Sequence, residues 1–339
     1  MNSAVADNTT ALKPSGHQLG WFEASLVLIT LAPTFADAVA IKPLLAEWIG
    51  SLRPQLSLLI FAILLVAAIR RRRRLRWLMT LQLLWHVQYF GVLLIPDSQP
   101  EPSTRTAAFS VCSVNIKAGN TRPELLFRSL PKQLPNLLTI IELSPELDQS
   151  LQKRLHETHP HHLTAPKTPA SFGIGIYSQY PILDSDVLTF GAPEVPTLSV
   201  LLQTPEGPVR VIGTHPPPPL NSEMLRLRNR QLWGIAQLCR NYRREQSAEP
   251  LLLIGDLNIT PWVSTWSGLL NESNLQNTLN RSNLFSTWRP MELPGAGMII
   301  DHALVSANLT CVERRVLPDC GSDHLPLFTR YRMQNASNH

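Results

Sequence analysis

Six short, largely apolar runs in the last two-thirds of this 339-residue chain end on, begin after or enclose a polar residue able to do chemistry. Phe109 to Val114 runs into Asn115, and Leu137 to Ile141 into Glu142. Val209 to Gly213 leads through Thr214 to His215, and Leu251 to Ile254 into Gly255-Asp256-Leu257-Asn258. Met298 to Val305 encloses Asp301-His302, and Leu325 to Tyr331 follows Gly321-Ser322-Asp323-His324. Runs this short and this apolar predict strands buried on both faces, which forces a sheet core covered by other layers. Polar groups at the ends of such strands stand where sheet enzymes keep their reacting residues.

Between these runs the chain alternates hairpin-like and strand–helix patterns. Leu198 to Gln203 and Val209 to Gly213 are predicted to pair across the turn Pro205-Glu206-Gly207, and Gly173 to Ser178 reads as a further buried strand. Helices are predicted from about Pro123 to Leu130 and over Ser222 to Arg244. In the second, Leu225, Leu232 and Leu238 recur with Trp233, Ile235 and Ala236 while arginines take other positions. A two-layer sheet core with helices outside satisfies this order. His156, His159, His161 and His162 lie in a Pro-rich stretch read as a solvated loop rather than a metal site.

Taken together, Asn115, Glu142, His215, Asp256-Leu257-Asn258, Asp301 and Ser322-Asp323-His324 resemble, in order and context, the endonuclease/exonuclease/phosphatase (DNase-I-like) superfamily, over about 109–332. The resemblance implies an α+β fold, a four-layer α/β/β/α sandwich with its site at one edge of the paired sheets. It implies a Mg²⁺ site, with Mn²⁺ the alternative ion, at Glu142, Asp323 and the amide Asn115. Asp256 would orient or deprotonate the attacking water and Asn258 would donate to phosphate. Asp301 would hold His324, His215 would be the second imidazole, and Thr287-Trp288 would line the pocket. Asp256 and His324 both remain candidates for the general base. Extended-chain alternation puts Asp256 and Asn258 on one face, so both can reach one phosphate. Such carboxylate, amide and imidazole groups suit a divalent-cation-assisted attack of water on a phosphate ester. Two departures bear on substrate. Asn136 stands where the family often has Asp, and the phosphate-contacting tyrosine and DNA-reading loops of abasic-site endonucleases have no clear counterpart.

The first 95 residues read differently. Stretches 19–41, 51–69 and 77–95 are apolar and about long enough to cross a hydrocarbon core of roughly 30 Å, so a helical membrane region with two or three spans is expected. Residues 96–107 would be a Pro-rich linker and 108–339 the catalytic domain. Charge supports the division. The whole chain carries 30 Lys+Arg against 25 Asp+Glu, a net of +5; from Glu101 onward the counts are 21 and 20, a net of +1. The excess lies in Arg70–Arg74 and Arg76, a basic stretch that predicts a cytoplasmic loop and an extracytoplasmic catalytic domain, in a bacterial inner membrane. Four cysteines fit no metal spacing, and such a location would permit a Cys311–Cys320 bridge.

The expected protein is therefore a membrane-anchored, Mg²⁺-dependent phosphoesterase, foremost a phosphodiesterase. Its substrate would be a nucleic acid, a phospholipid or a small phosphodiester; the bilayer is its other partner, and no protein partner is expected. The alternative on the same fold is a catalytically silent, membrane-anchored scaffold.

Overall fold

The computed structural model describes residues 21–39, 42–90, 109–118, 120, 123–245, 249–280, 282–290 and 296–334. The expected linker at 96–107 and the outer ends of the first and third expected spans lie outside them.

Two six-stranded mixed sheets form the centre. One contains β1 (Phe109–Asn115), β2 (Leu137–Ile141), β3 (His161–Ala165), β4 (Ile174–Ser178), β11 (Leu309–Val316) and β12 (Leu327–Met333), in the order β11-β12-β1-β2-β4-β3. The other contains β5 (Ile182–Leu188), β6 (Thr197–Thr204), β7 (Gly207–Thr214), β8 (Leu251–Asp256), β9 (Gln276–Asn277) and β10 (Asp301–Val305), in the order β5-β6-β7-β8-β10-β9. Each sheet has one parallel pair near its middle, β1 with β2 and β7 with β8. The two-residue side-chain period of a strand divides the apolar residues between layers. Val111, Leu137, Leu252 and Ile254 meet between the sheets. Cys112, Leu138 and Ile140 turn outward onto α5 (Pro123–Ser129) and α6 (Pro145–Leu155). Leu251 and Leu253 turn the other way, onto α7 (Ser222–Glu245) and α8 (Ser264–Ser273). Four layers result, as the alternating apolar pattern requires.

The histidine-rich stretch is not a loop. His161 and His162 lie on the edge strand β3, paired to β4, and the buried His159 ring bonds Pro135 O at 2.8 Å. An edge strand has one neighbour only, so its polar composition hid it. Asn136 accepts from Ser110 N at 2.8 Å and donates to Gln179 Oε1 at 2.9 Å, tying β1 to the β4 end rather than entering the site. All four cysteines are free.

The N-terminal region forms α1 (Trp21–Val39), α2 (Pro43–Ser51), α3 (Arg53–Ile69) and α4 (Arg73–Val87). Among the described residues no single helix is long and apolar enough to cross a membrane; α2 and α3 reach that length together, bent by 66°. The basic stretch is also shorter as a loop than expected, because α4 starts at Arg73 and carries Arg74 and Arg76 in its first turn. Beside an apolar bundle core of Val27, Ile60, Ile63, Ala67, Leu75 and Met79 lies a polar cluster, under an apolar exterior. Thr30, Thr34, Gln82 and His86 are buried, with Thr34 Oγ1 3.3 Å from Gln82 Oε1 and 3.1 Å from His86 Nε2. Leu28, Phe35, Leu58, Phe61, Ile69, Trp77, Leu81 and Leu84 are exposed.

The bundle seats against the sandwich through α2. Gly50 permits the approach, since a Cβ there would stand 2.8 Å from Val263 Cγ1. Trp48 Nε1 donates to Pro219 O at 2.8 Å, and the Arg53 guanidinium reaches Trp262 O. Arg228, fully buried on α7, donates through Nη1 to Glu47 Oε1 at 2.7 Å. Removing one partner of a buried ion pair strands the other and costs about 3–5 kcal/mol. Glu47→Ala is therefore expected to lower the thermal unfolding midpoint clearly, and Glu47→Gln, which keeps an acceptor, to lower it less. Equal midpoints in all three proteins would show that this pair does not hold the seat.

Candidate active site

The site forms where the C-terminal ends of both parallel pairs meet. β1 delivers Asn115, the residue after β2 is Glu142, the residue after β7 is His215, and β8 delivers Asp256. Asp301 opens β10 and pairs in register with Asp256, so the two side chains stand on adjacent strands. Gly255 makes the β7–β8 approach work. Its φ is +148°, and a Cβ would fall 2.0 Å from Thr214 O. That steric demand explains the glycine before Asp256. Glu142 (φ 62°) and Asn258 (φ 49°) also hold left-handed backbone, which non-glycine residues adopt at a cost of about 1–3 kcal/mol, most often at functional sites.

The side chains form one connected set. Asn115 Nδ2 donates to Glu142 Oε1 at 3.0 Å and to Asp256 Oδ2 at 3.2 Å. Asp256 Oδ1 accepts from Asn258 N at 3.0 Å, while Asn258 Nδ2 donates to Pro216 O at 2.9 Å. His324 Nδ1 lies 3.0 Å from Asp301 Oδ2, and its Nε2 lies 3.7 Å from Asp256 Oδ2. His215 Nε2 approaches the same Asp256 oxygen at 3.5 Å. Thr287 Oγ1 accepts from Asp301 N at 3.0 Å, and Trp288 bridges to His324 and borders the cleft. The predicted residues are thus brought together, with Asp323 on the rim.

Burial sets the charges. His324 loses solvation, which favours its neutral form, but the carboxylates of Asp301 and Asp256 outweigh this and raise its pKa to about 9. Asp301 is held below its ordinary value; burial opposes ionisation, and the His324 cation and hydrogen bond overcome it. Asp256 moves up, first from burial and then from the nearby Asp301 charge. His215 drops to about 3 through burial and the adjacent His324. At neutral pH the set therefore holds one imidazolium, His324, and one neutral imidazole, His215.

Asp256, Asp301 and His324 each place a ligand atom within 4.8 Å of the others, but His324 and Asp301 are engaged with each other. Glu142 accepts from Asn115 Nδ2 and Ala118 N, Asp323 lies beside Lys117, and both acids line the cleft and stay partly exposed. An all-oxygen set with room for water fits a hard divalent cation.

Sequence reasoning gave no role to four contributors. Lys117 Nζ stands 3.7 Å from Asp323 Oδ2 on the rim. Ser322 Oγ donates to Asn115 O at 2.8 Å and accepts from His324 N at 3.0 Å, locking the tail motif to β1. Trp48 and Leu52, from the N-terminal bundle, also line the cleft. The first two sit beside recognised motif residues; the last two carried no signal, since their neighbours are far along the chain. His302 does not join the site. Its buried ring bonds Ile259 O at 2.7 Å and packs on Trp266.

Several solved structures share the fold. Sphingomyelinase C from Streptomyces griseocarneus aligns with a TM-score of 0.51 at 14% identity, over 66% of this chain and 99% of that one. TDP2 of D. rerio, complexed with single strand DNA product, gives 0.55 at 16% identity over 66% and 99%. The human Nocturnin catalytic domain with bound sulfate anion gives 0.53 at 18% over 67% and 94%. At these identities the likeness is one of fold. No curated protein matches the chain. Residues 112–324, more than half of the chain, match the Endonuclease/Exonuclease/phosphatase family, and the protein is a member of that family, a metal-dependent phosphoric ester hydrolase.

Proposed function

We infer that the protein is a Mg²⁺-dependent phosphodiesterase held in a membrane, hydrolysing a phosphodiester with an activated water. The observation that carries the reaction is the triangle of Asp301, His324 and Asp256. Asp301 keeps His324 protonated, so His324 serves as a cation and proton donor facing the phosphate rather than as the base. Asp256, the carboxylate pushed upward, is then the group that takes the water proton. Asn258 and neutral His215 donate to non-bridging oxygens or the leaving group. The water oxygen bonds phosphorus as the phosphorus–alkoxide bond breaks; Asp256 receives a proton, and the departing alkoxide gains one from an imidazole. Glu142, Asp323 and Asn115 are the residues that would hold Mg²⁺, or Mn²⁺. The cation supplies charge neutralisation at the phosphate oxygens.

The membrane reading rests on the apolar exterior of the bundle and the polar cluster inside it. Buried Thr34, Gln82 and His86 beneath an apolar exterior suit a lipid surround, where polar side chains face the bundle interior. The basic turn at Arg70–Arg72 then faces the cytoplasm and the catalytic domain lies outside it, at a bacterial inner membrane.

Two tests follow. The purified chain is expected to hydrolyse bis-p-nitrophenyl phosphate faster than p-nitrophenyl phosphate, with EDTA abolishing turnover and added Mg²⁺ restoring it. Asp256→Ala and His324→Ala should each lose about 10²–10⁴-fold in kcat, the span of general acid–base assistance. A folded protein that turns over neither ester and binds no Mg²⁺ would favour the silent scaffold. For topology, a reporter active only in the periplasm, fused after residue 106, should be active; an inactive fusion would put the domain in the cytoplasm.

A further inference from the structure

The cleft of about 800 Å³ that contains the reacting set has two chemically different halves. One half holds Glu142, Asp256, Asp323 and the two imidazoles. The other is walled by Trp48, Leu52, Phe172, Pro218, Leu220 and Met224. A phosphodiester centre needs only the first half. Phe172 and Met224 also border an adjoining, mostly apolar pocket of about 310 Å³, so the non-polar space extends away from the reacting groups.

We propose that the apolar half binds a hydrocarbon chain of the substrate, and that the substrate is a membrane lipid with a phosphodiester headgroup. This deepens the phosphodiesterase reading and rests on it. Two observations choose the occupant. First, the apolar wall is built in part from the bundle, whose exterior is itself apolar. Trp48 lies on α2 and Leu52 at the bend into α3, whose Leu58, Phe61, Leu65 and Ile69 are exposed. Leu220, 65% exposed, faces water at the cleft mouth unless an apolar partner covers it. Second, among the described residues Lys117 is the only Lys or Arg that lines the cleft, too little for a basic track along a nucleic-acid backbone. Three of the α7 arginines are engaged away from the cleft, Arg228 with Glu47, Arg240 with Glu272 and Arg243 with Asn308. The family match begins at residue 112, so the helix that completes this wall lies outside the region shared with the family.

The test compares two diesters with the same leaving group, p-nitrophenyl methyl phosphate and p-nitrophenyl octyl phosphate, on the full chain in nanodiscs of digalactosyldiacylglycerol, a lipid with no phosphodiester. Burial of each methylene favours binding by about fourfold, so kcat/KM for the octyl ester should exceed that for the methyl ester by about tenfold or more. Trp48→Ala and Leu52→Asn should each pull that ratio toward one. Partitioning into the disc lipid raises all three proteins alike and does not affect the comparison. A ratio near one in the unaltered protein, or a ratio kept by both variants, would overturn the proposal. Cleavage of single-stranded DNA that falls steeply with salt, beside a ratio near one, would assign the cleft to nucleic acid. If neither ester is turned over, the phosphodiesterase reading fails separately, and calorimetry decides the pocket. Octylphosphonate should bind about tenfold or more tighter than methylphosphonate, with the advantage lost in Trp48→Ala; equal affinities would remove the chain site.

Discussion

Two carboxylates, Asp256 and Asp301, are buried opposite each other on neighbouring antiparallel strands, and the arrangement survives because His324 stands between them. Like charges directly across a ladder repel, and burial deepens the penalty. One imidazolium bonded to Asp301 and near Asp256 changes the sign of that balance. The same contact accounts for the opposite shifts of the two acids. Asp301 takes the close hydrogen bond and stays ionised, while Asp256 keeps the longer contact and moves toward protonation. Environments that drive two acids apart divide the roles of acid and base between them. Asp301 is a positioning residue here, since it reaches the cleft only through the imidazole.

Much of the remaining architecture delivers that triad. The parallel pairs put four strand ends at one edge, Gly255 lets β8 close on Thr214, and Thr287 fixes the backbone at Asp301. His324 comes from the end of the chain, and Ser322 ties its segment to Asn115 on β1. The four-layer core is thus tied to the site by hydrogen bonds from both sheets. Displacing any one strand end would separate charges that are tolerable only together.

The parts of this design visible in the sequence are those governed by local pattern. Leu137–Ile141 is a strand with the expected bounds, because five consecutive apolar residues suit a strand buried on both faces. The helix at Ser222–Glu245 followed from its apolar spacing. β3 and β5 carry polar residues on exposed faces and gave no such signal. The strand expected from Met298 begins only at Asp301, because Met298 bridges to Trp288 instead. Site residues at strand ends were legible for the same local reason. Left-handed backbone at Glu142 was not, since nothing in Ile-Glu-Leu announces it. The contributions of Trp48 and Arg228 were equally hidden, as their partners lie 171 and 181 residues away.

Arg228 sets a limit on how the N-terminal helices can be regarded. Its Nη1 donates both to Glu47 Oε1 at 2.7 Å and to Asn258 O at 2.8 Å, so a single guanidinium joins α2 to the loop that carries the catalytic-side amide. A region serving only as an anchor would need no such bond; a flexible connection would suffice. A buried ion pair is also a poor way to gain stability, because desolvation of both charges offsets most of their attraction. What it supplies is a fixed position for each partner. With Asn258 already at an unfavourable φ of 49°, a charged donor on its carbonyl helps hold that conformation against relaxation. The helices therefore take part in shaping the catalytic edge, and the wall that Trp48 and Leu52 add to the cleft is held in register with the groups that would cut the ester.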